Sequence, residues 1–165
     1  MAPGTAAQRR LVILRHAKSA WPEGVPDRER PLNKRGRRDA GAAGNWLREH
    51  VGRIDAVACS PAARTRQTWE IVAAELIEPP TPTIDDRIYA ARPDVLLAVV
   101  RDLPDTASSA VLVGHNPGVE ELVTMLSGEE PGMSTSAVAV LTWTGSWIDA
   151  GAEVAQLREH VVPRG

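Results

Sequence analysis

The chain of 165 residues is long enough for one domain with its own hydrophobic core, and we expect a single domain over residues 1–165. Its 43% hydrophobic and 24% charged residues are ordinary for a globular protein and exclude disordered and fibrous classes. Nineteen Lys and Arg against 21 Asp and Glu leave a formal net charge of -2, so the protein has no overall attraction to nucleic acid or to an anionic membrane.

Nothing in the sequence indicates a membrane or secreted protein. No stretch approaches the roughly 20 apolar residues of a membrane span, and the N-terminal segment lacks the apolar core of a secretion signal. The single cysteine, Cys59, cannot form an internal disulfide, which suits a reducing compartment. We therefore expect a cytoplasmic protein that binds neither membrane nor nucleic acid. Residues 1–9 are expected to be flexible because of their Gly, Pro and Ala content.

Strand and helix patterns alternate along the chain. Short runs rich in β-branched residues predict strands at 10–15, 54–59, 109–115 and 137–143. Helical spacing of apolar residues predicts helices over 33–51, 62–77, 93–103 and 117–128. The stretch TWTGSW (142–147) predicts a hairpin turn before a last strand near 153–162, and the Pro-rich segment 78–86 predicts a plain connection.

The predicted strands are apolar on both faces, which is typical of a sheet that helices cover on two sides. Together with the alternation of strands and helices, this predicts a three-layer α/β domain. Its central sheet is mostly parallel, with room for one antiparallel strand at an edge. Gly36, Gly41 and Gly44 fall within a predicted helix, where small residues allow close packing.

Polar side chains follow three of the predicted strands. Arg15 and His16 end the first, Arg64 lies one turn into the helix after the second, and His115 ends the third. Ligands in such sheets bind beyond the carboxyl ends of the strands, where successive loops converge, so we expect these four groups to face one point. This set of side chains suits a phosphoryl group. Arginine guanidinium groups bind its oxygens through paired N–H donors, and an imidazole can attack its phosphorus.

A nucleophilic imidazole must keep one nitrogen unprotonated. The neighbouring guanidinium groups lower the pKa of the His16 ring and so favour its neutral form. The other ring nitrogen should donate to a backbone carbonyl or a similar acceptor, which fixes the tautomer.

Four motifs also carry a family resemblance. LRHAKS, PLNKRGRRDA, SPAARTRQT and VGHNPGVEEL, in this order, resemble the histidine phosphatase superfamily, also called phosphoglycerate mutase-like, and in particular its short SixA-type branch. The resemblance covers residues 10 to about 128, and AVAVLTWTGSW is similar to the family's C-terminal strand. It implies a phosphoglycerate mutase-like fold and a phosphatase in which His16 accepts the phosphoryl group before water releases phosphate. It also implies that Arg15, Arg64 and His115 bind the phosphoryl oxygens, without metal or organic cofactor.

The loop after His16 departs from the commonest family form. Ala17, Lys18 and Pro22 stand where that form has Gly, Glu and Asn, which marks the SixA-type branch. Lys18 is a candidate cation beside the phosphate and Ser19 a candidate hydrogen-bond donor. Both also fit an ordinary solvated loop.

The general acid is harder to assign. Many members of the resembled family use a carboxylate to protonate the leaving group. Asp85 and Asp86 are the candidates by position, with Glu23 and Asp27 in the first loop as outsiders, and all four also fit ordinary loop carboxylates. A phosphoramidate needs no such acid, because its P–N bond is labile and its imidazole can take a proton from solvent.

Three functions remain open. The first hypothesis is a SixA-like signalling phosphatase that acts on phosphohistidine in a partner protein, because a chain this short predicts an open site. The second is a phosphomonoesterase for sugar or nucleotide phosphates, and the third is a non-catalytic phosphate-binding module. We expect a monomer.

Two other enzyme classes are excluded by spacing. Cysteine-dependent phosphatases need five residues between Cys and Arg, whereas four separate Cys59 from Arg64, and the loop lacks the required glycines. A dinucleotide-binding or P-loop protein needs a glycine motif that the sequence lacks.

Overall fold

A six-stranded sheet forms the middle layer of the structure, a computed structural model that describes residues 7–165. In chain order its strands are β1 (Gln8–Arg15), β2 (Ala56–Cys59), β3 (Thr83–Ile84), β4 (Ser109–Gly114), β5 (Val138–Thr144) and β6 (Gln156–Val161). The α-helices of this part of the chain are α1 (Lys34–His50), α2 (Ala63–Ala74), α3 (Pro93–Arg101) and α4 (Gly118–Ser127). None of these helices has the length and apolar character that crossing a membrane requires.

The sheet is mostly parallel, as predicted. Its strand order is β3-β2-β4-β1-β5-β6. Strands β3, β2, β4 and β1 pair in parallel, and β5 pairs antiparallel with both β1 and β6. The antiparallel strand β5 therefore lies one position in from the edge, which β6 forms.

Helices cover both faces of the sheet, and β1 lies between them. Leu11 and Ile13 pack into the core cluster that contains residues of α3 and α4. Val12 and Leu14 pack into the opposite cluster, against α1 and α2. All four side chains are fully buried, which explains why the sequence of β1 is apolar without alternation.

Two connections differ from the sequence prediction. No hairpin turn forms at 142–147, because Trp147 buries its indole in the core and donates a hydrogen bond to the Ala107 carbonyl at 2.9 Å. A short 3-10 helix, Trp147–Asp149, therefore interrupts the link to β6. The Pro-rich segment 78–86 contains β3, which is two residues long and exposed, so its sequence carries little apolar signal.

The N-terminal boundary also differs from the prediction. Gln8 and Arg9, predicted to be flexible, lie in β1, and Arg9 donates to the carbonyls of Asp105 and Gly145. Residues 1–6 of that predicted flexible segment lie outside the described residues.

The start of α1 packs directly on the loop that follows β1. Asn33 caps the helix by accepting a hydrogen bond from the Gly36 amide at 2.8 Å. A Cβ atom on Gly36 would lie 2.0 Å from the Lys18 carbonyl oxygen, so only glycine fits. Gly44 has a similar role against α2, where a Cβ would lie 2.8 Å from the Val72 carbonyl oxygen. Close packing was predicted for three glycines and holds for these two.

We expect Gly36→Ala to lower the free energy of unfolding by about 1–3 kcal/mol, because the added methyl group forces backbone apart. Gly41→Ala is the matched control in the same helix, since its Cβ would meet only the Ile71 Cγ2 at 4.0 Å. That variant should gain up to about 1 kcal/mol from the higher helix propensity of alanine. Denaturant titration measures both values, and an equal response of the two variants would contradict the packing argument.

Candidate active site

A cavity opens where β2, β4 and β1 end. These strands are neighbours and run parallel, so the residues that follow them meet at one edge of the sheet. The cavity has a volume of about 360 Å³. Its lining includes the four residues predicted to attack or bind a phosphoryl group, and it consists of Arg15, His16, Lys18, Ser19, Trp21, Arg30, Arg64, His115, Asn116 and Thr135.

His16 is held by its own loop in an orientation that leaves one ring nitrogen free. Its Nδ1 donates to the Ala17 carbonyl at 2.7 Å, since a carbonyl oxygen can only accept. The predicted bond from the ring to a backbone carbonyl is therefore present. In the neutral ring, Nε2 then carries an available lone pair. The backbone is fixed as well, because the His16 amide donates to Gly114 and its carbonyl accepts from Ser136.

Burial and positive charge keep both imidazoles of the site neutral. The pKa of His16 is lowered to about 4, mainly by burial and also by the charges of Arg64 and Arg15, whereas the bond to Ala17 opposes the shift. Burial also lowers the pKa of His115 to about 3, with further contributions from His16 and Arg64. The ring centroids lie 5.3 Å apart. At neutral pH the His16 ring is therefore neutral rather than cationic, and its Nε2 lone pair is chemically available.

The two predicted arginines are anchored differently. Arg15 donates from Nη1 to the Met133 carbonyl at 2.9 Å, and its buried Nε has no partner among residues 7–165. Arg64 reaches back to the first loop, where Nη1 donates to the Asp27 carbonyl at 2.8 Å and Nη2 to the Asp27 carboxylate at 3.1 Å. Each guanidinium keeps further N–H groups for a ligand.

Asp27 connects the cations on one side of the cavity. Its carboxylate accepts hydrogen bonds from Tyr89, Arg30 and Arg64, and these bonds hold its pKa well below the usual range. It is therefore ionised, and it orients Arg64 rather than carrying a proton. Asp27 was an outsider among the predicted acids, and its charge state argues against that role.

Arg30 is a cavity residue that sequence reasoning missed. It is buried and donates to the Ala20 carbonyl, the Asp27 carboxylate and the Ser19 hydroxyl. Its sequence context, DRER, has the alternating charge of a solvated loop and gives no warning of burial. Ser19, a predicted ligand, is thus buried beside Arg30, and Lys18 is exposed in the cavity lining.

The structure does not bring the predicted general acids into the cavity. Asp85 lines a different cavity and bonds to Arg87 at 2.7 Å, and that bond lowers the pKa of Asp85. Asp86 is exposed and forms an ion pair with Arg28 at 3.7 Å. Within residues 7–165, the side chains that line the His16 cavity include no carboxylate. Glu23, the other outsider among the predicted acids, is therefore not in the lining either.

The comparisons with known proteins agree on one family. Residues 11–88 match the model of the histidine phosphatase superfamily (branch 1). The phosphohistidine phosphatase SixA of Escherichia coli is 32% identical over 142 residues, which cover 80% of this chain and 84% of that protein. This chain belongs to the histidine phosphatase superfamily.

Two further relatives extend the match over nearly the whole chain. An uncharacterized Mycobacterium tuberculosis protein is 38% identical over 162 residues, which cover 92% of this chain and 100% of that protein. A structure from Nakamurella multipartitia, assigned as a SixA phosphohistidine phosphatase, has a TM-score of 0.88 and 33% identity over 97% of this chain and 99% of that chain. The predicted phosphoglycerate mutase-like fold of this histidine phosphatase superfamily member is therefore confirmed.

Other side chains of this superfamily member are less able to act as a nucleophile or to bind a metal ion. Burial raises the pKa of the Cys59 thiol to about 12, which leaves it protonated and unreactive. In the described part of the chain, no group of three or more His, Cys, Asp or Glu side chains could hold a metal ion. His50 lies exposed on α1 and stacks on Trp46, outside the cavity lining.

The low pKa values of the two imidazoles predict how stability depends on pH. In the unfolded chain each imidazole has a pKa near 6.5. In the folded protein the pKa is about 4 for His16 and about 3 for His115. The unfolded state therefore binds more protons in this window, and stability falls as pH falls. We expect a loss of about 2 kcal/mol per histidine between pH 7 and pH 5.

Denaturant titration at the two pH values measures this loss. His16→Asn and His115→Asn should each remove their own share of the pH dependence, because asparagine does not titrate. An unfolding free energy in the wild type that stays constant from pH 7 to pH 5 would contradict the electrostatic description of the site.

Proposed function

We propose that this protein is a phosphatase that transfers a phosphoryl group to His16 and then to water. The observation that carries the proposal is the state of His16, which is neutral and fixed through Nδ1, with Nε2 free in a cavity that Arg15, Arg64 and His115 share. An imidazole in that state can attack phosphorus, and the guanidinium groups can hold the phosphoryl oxygens as charge moves onto them.

The proposed reaction has two displacements. First, the Nε2 lone pair of His16 forms a bond to phosphorus while the bond from phosphorus to the leaving group breaks, and the leaving group keeps that electron pair. The Nδ1–H bond to Ala17 stabilises the positive charge that develops on the ring. Second, a water oxygen attacks phosphorus, the P–Nε2 bond breaks, and inorganic phosphate leaves as His16 regains its lone pair.

We propose phosphohistidine in a partner protein as the substrate. Two features of the cavity support this choice over an alkyl phosphate ester. The carboxylate nearest to the cations, Asp27, is ionised and cannot protonate an alkoxide, whereas a phosphohistidine imidazole can take its proton from solvent. The SixA relatives are phosphohistidine phosphatases by name, which favours the same substrate class. We further propose that the protein acts in the cytoplasm, as a monomer, in signal transduction.

His16→Ala should abolish phosphate release and retain the fold, because the variant loses the nucleophile and the buried site tolerates a smaller side chain. The measurement is phosphate release from a phosphohistidine-bearing protein, with circular dichroism as the folding check. His50→Ala is the matched control, since His50 is exposed and lies outside the cavity lining. An active His16→Ala variant would contradict the proposed nucleophile.

Comparing substrates tests the proposed class. We expect a higher kcat/KM for a phosphohistidine-bearing protein than for sugar phosphates, because the alkoxide leaving group of a sugar phosphate finds no acid in the cavity. The phenolate of p-nitrophenyl phosphate leaves without an acid, so this ester serves as the reference substrate for the nucleophile alone. A preference for sugar phosphates would favour the phosphomonoesterase alternative. Binding of vanadate or phosphate with no turnover of any substrate would favour the phosphate-binding module.

Trp21 tests whether the partner is a protein. The side chain is 79% exposed in the cavity lining, and the Arg30 guanidinium lies 3.2 Å from its ring centroid. An exposed ring held in place by a buried cation suits contact with a polypeptide surface. We expect Trp21→Ala to lower kcat/KM about tenfold for the phosphohistidine-bearing protein and much less for p-nitrophenyl phosphate.

The control for this variant is Ile148→Ala, which removes a similarly exposed apolar side chain that does not line the cavity. It should leave the ratio of the two kcat/KM values unchanged. Equal losses of Trp21→Ala on both substrates would contradict protein recognition by Trp21, even if His16 is the nucleophile.

A further inference from the structure

Ser60 places a buried hydroxyl group against the second histidine of the site. It follows β2 and is fully buried. Its Oγ lies 2.7 Å from His115 Nε2 and accepts a hydrogen bond from the Ala62 amide at 3.3 Å. Its backbone is fixed on both sides, because its amide donates to Val113 and its carbonyl accepts from the Thr65 hydroxyl.

These contacts determine where the protons lie. The bond from Ala62 uses a lone pair of Ser60 Oγ, so the hydroxyl proton needs an acceptor. Over residues 7–165 the Oγ has no acceptor within hydrogen-bond distance other than His115 Nε2. The reverse arrangement, with Nε2 donating to Oγ, would leave the hydroxyl proton buried without a partner, at a cost of about 1–3 kcal/mol.

The proton of the neutral His115 ring must then be on Nδ1. This nitrogen is buried and has no partner elsewhere in the described structure. The ring that carries it lines the cavity and lies next to the ring of His16. An N–H group without a partner, beside the nucleophile, is suited to an incoming anionic oxygen.

We propose that Ser60 is a positioning residue that holds His115 as the Nδ1–H tautomer and so makes it a neutral donor to a phosphoryl oxygen. The second half of this statement rests on the proposed phosphatase function, and the first half does not. A neutral donor has a specific advantage here, because a cationic His115 would disfavour the charge that develops on His16 during attack.

The tautomer can be measured without any substrate. Two-dimensional ¹⁵N NMR correlation of the ring nitrogens distinguishes Nδ1–H from Nε2–H imidazoles at neutral pH. We expect the Nδ1–H pattern for His115 in the wild type, and a change towards the Nε2–H form, with a change in ¹⁵N shift, in Ser60→Ala. An Nε2–H pattern in the wild type would overturn the proposal, whatever the enzyme hydrolyses.

Thr65→Val is the matched control for Ser60→Ala. It removes another fully buried hydroxyl, which donates to the carbonyls of Ser60 and Ala62 and makes no hydrogen bond to His115. If Thr65→Val retains the NMR pattern of the wild type, the effect of Ser60→Ala is due to the lost hydroxyl proton rather than to a looser core. If Thr65→Val changes the tautomer as much as Ser60→Ala does, the specific role of Ser60 is disproved.

A pair of His115 variants tests the donor independently of Ser60. The amide nitrogen of asparagine can replace Nδ1, whereas that of glutamine replaces Nε2. We expect His115→Asn to retain about tenfold more kcat/KM than His115→Gln, because it keeps a donor at the correct ring position. The opposite order would overturn the donor role. This pair tests the Nδ1–H donor of His115 even if Ser60→Ala does not fold. Inactivity of the wild-type protein on every phosphate substrate would instead count against the proposed function.

Discussion

The parallel pairing of β1 with β4 is the constraint on which the site depends. Its register places Arg15 opposite Gly114, so that His16 and His115 leave adjacent strands at the same level. The His16 amide then bonds to the Gly114 carbonyl, which continues the ladder by one step into the site. Because β2 pairs with the other edge of β4, Ser60 reaches His115 from the opposite side. One sheet edge thus fixes the positions of His16, His115 and Ser60.

Carboxylates that lie outside the cavity lining balance the positive charge of its arginines. Asp27 binds Arg30 and Arg64, and Glu120 lies near enough to Arg15 to stabilise its charge. Asp27 holds the guanidinium groups of Arg30 and Arg64 in position, while the cavity lining itself remains positive or neutral. The lining of the described chain therefore offers fixed N–H donors and no ionised oxygen to the phosphoryl group of the proposed substrate. Such preorganised donors stabilise transferred charge without reorganisation during the reaction.

The fold and the centre of the site could be predicted because their signals are local. Strands such as β1 and β4 are apolar on both faces, and Arg15, His16 and His115 stand directly at strand ends, where topology brings them together. The residues around the edge of the cavity could not be predicted in the same way. Asp27 begins a short 3-10 helix, Asp27–Glu29, and Arg30 follows it. Only the tertiary contacts of this exposed, charged segment reveal that the Arg30 side chain is buried. Strand β3 and the path around Trp147 depend on tertiary contacts that no short window of sequence contains.

The central position of β1 also has a consequence for local unfolding. The strand lies between β4 and β5 with both faces covered, whereas β3 at the far edge is two residues long and exposed. Amide protons at the sheet edges can therefore exchange with solvent through small local openings, but those of β1 require disruption of both core clusters. The backbone around His16 thus keeps its geometry through the fluctuations that open the edges of the sheet, and contact of the proposed partner protein with the cavity rim would not displace His16.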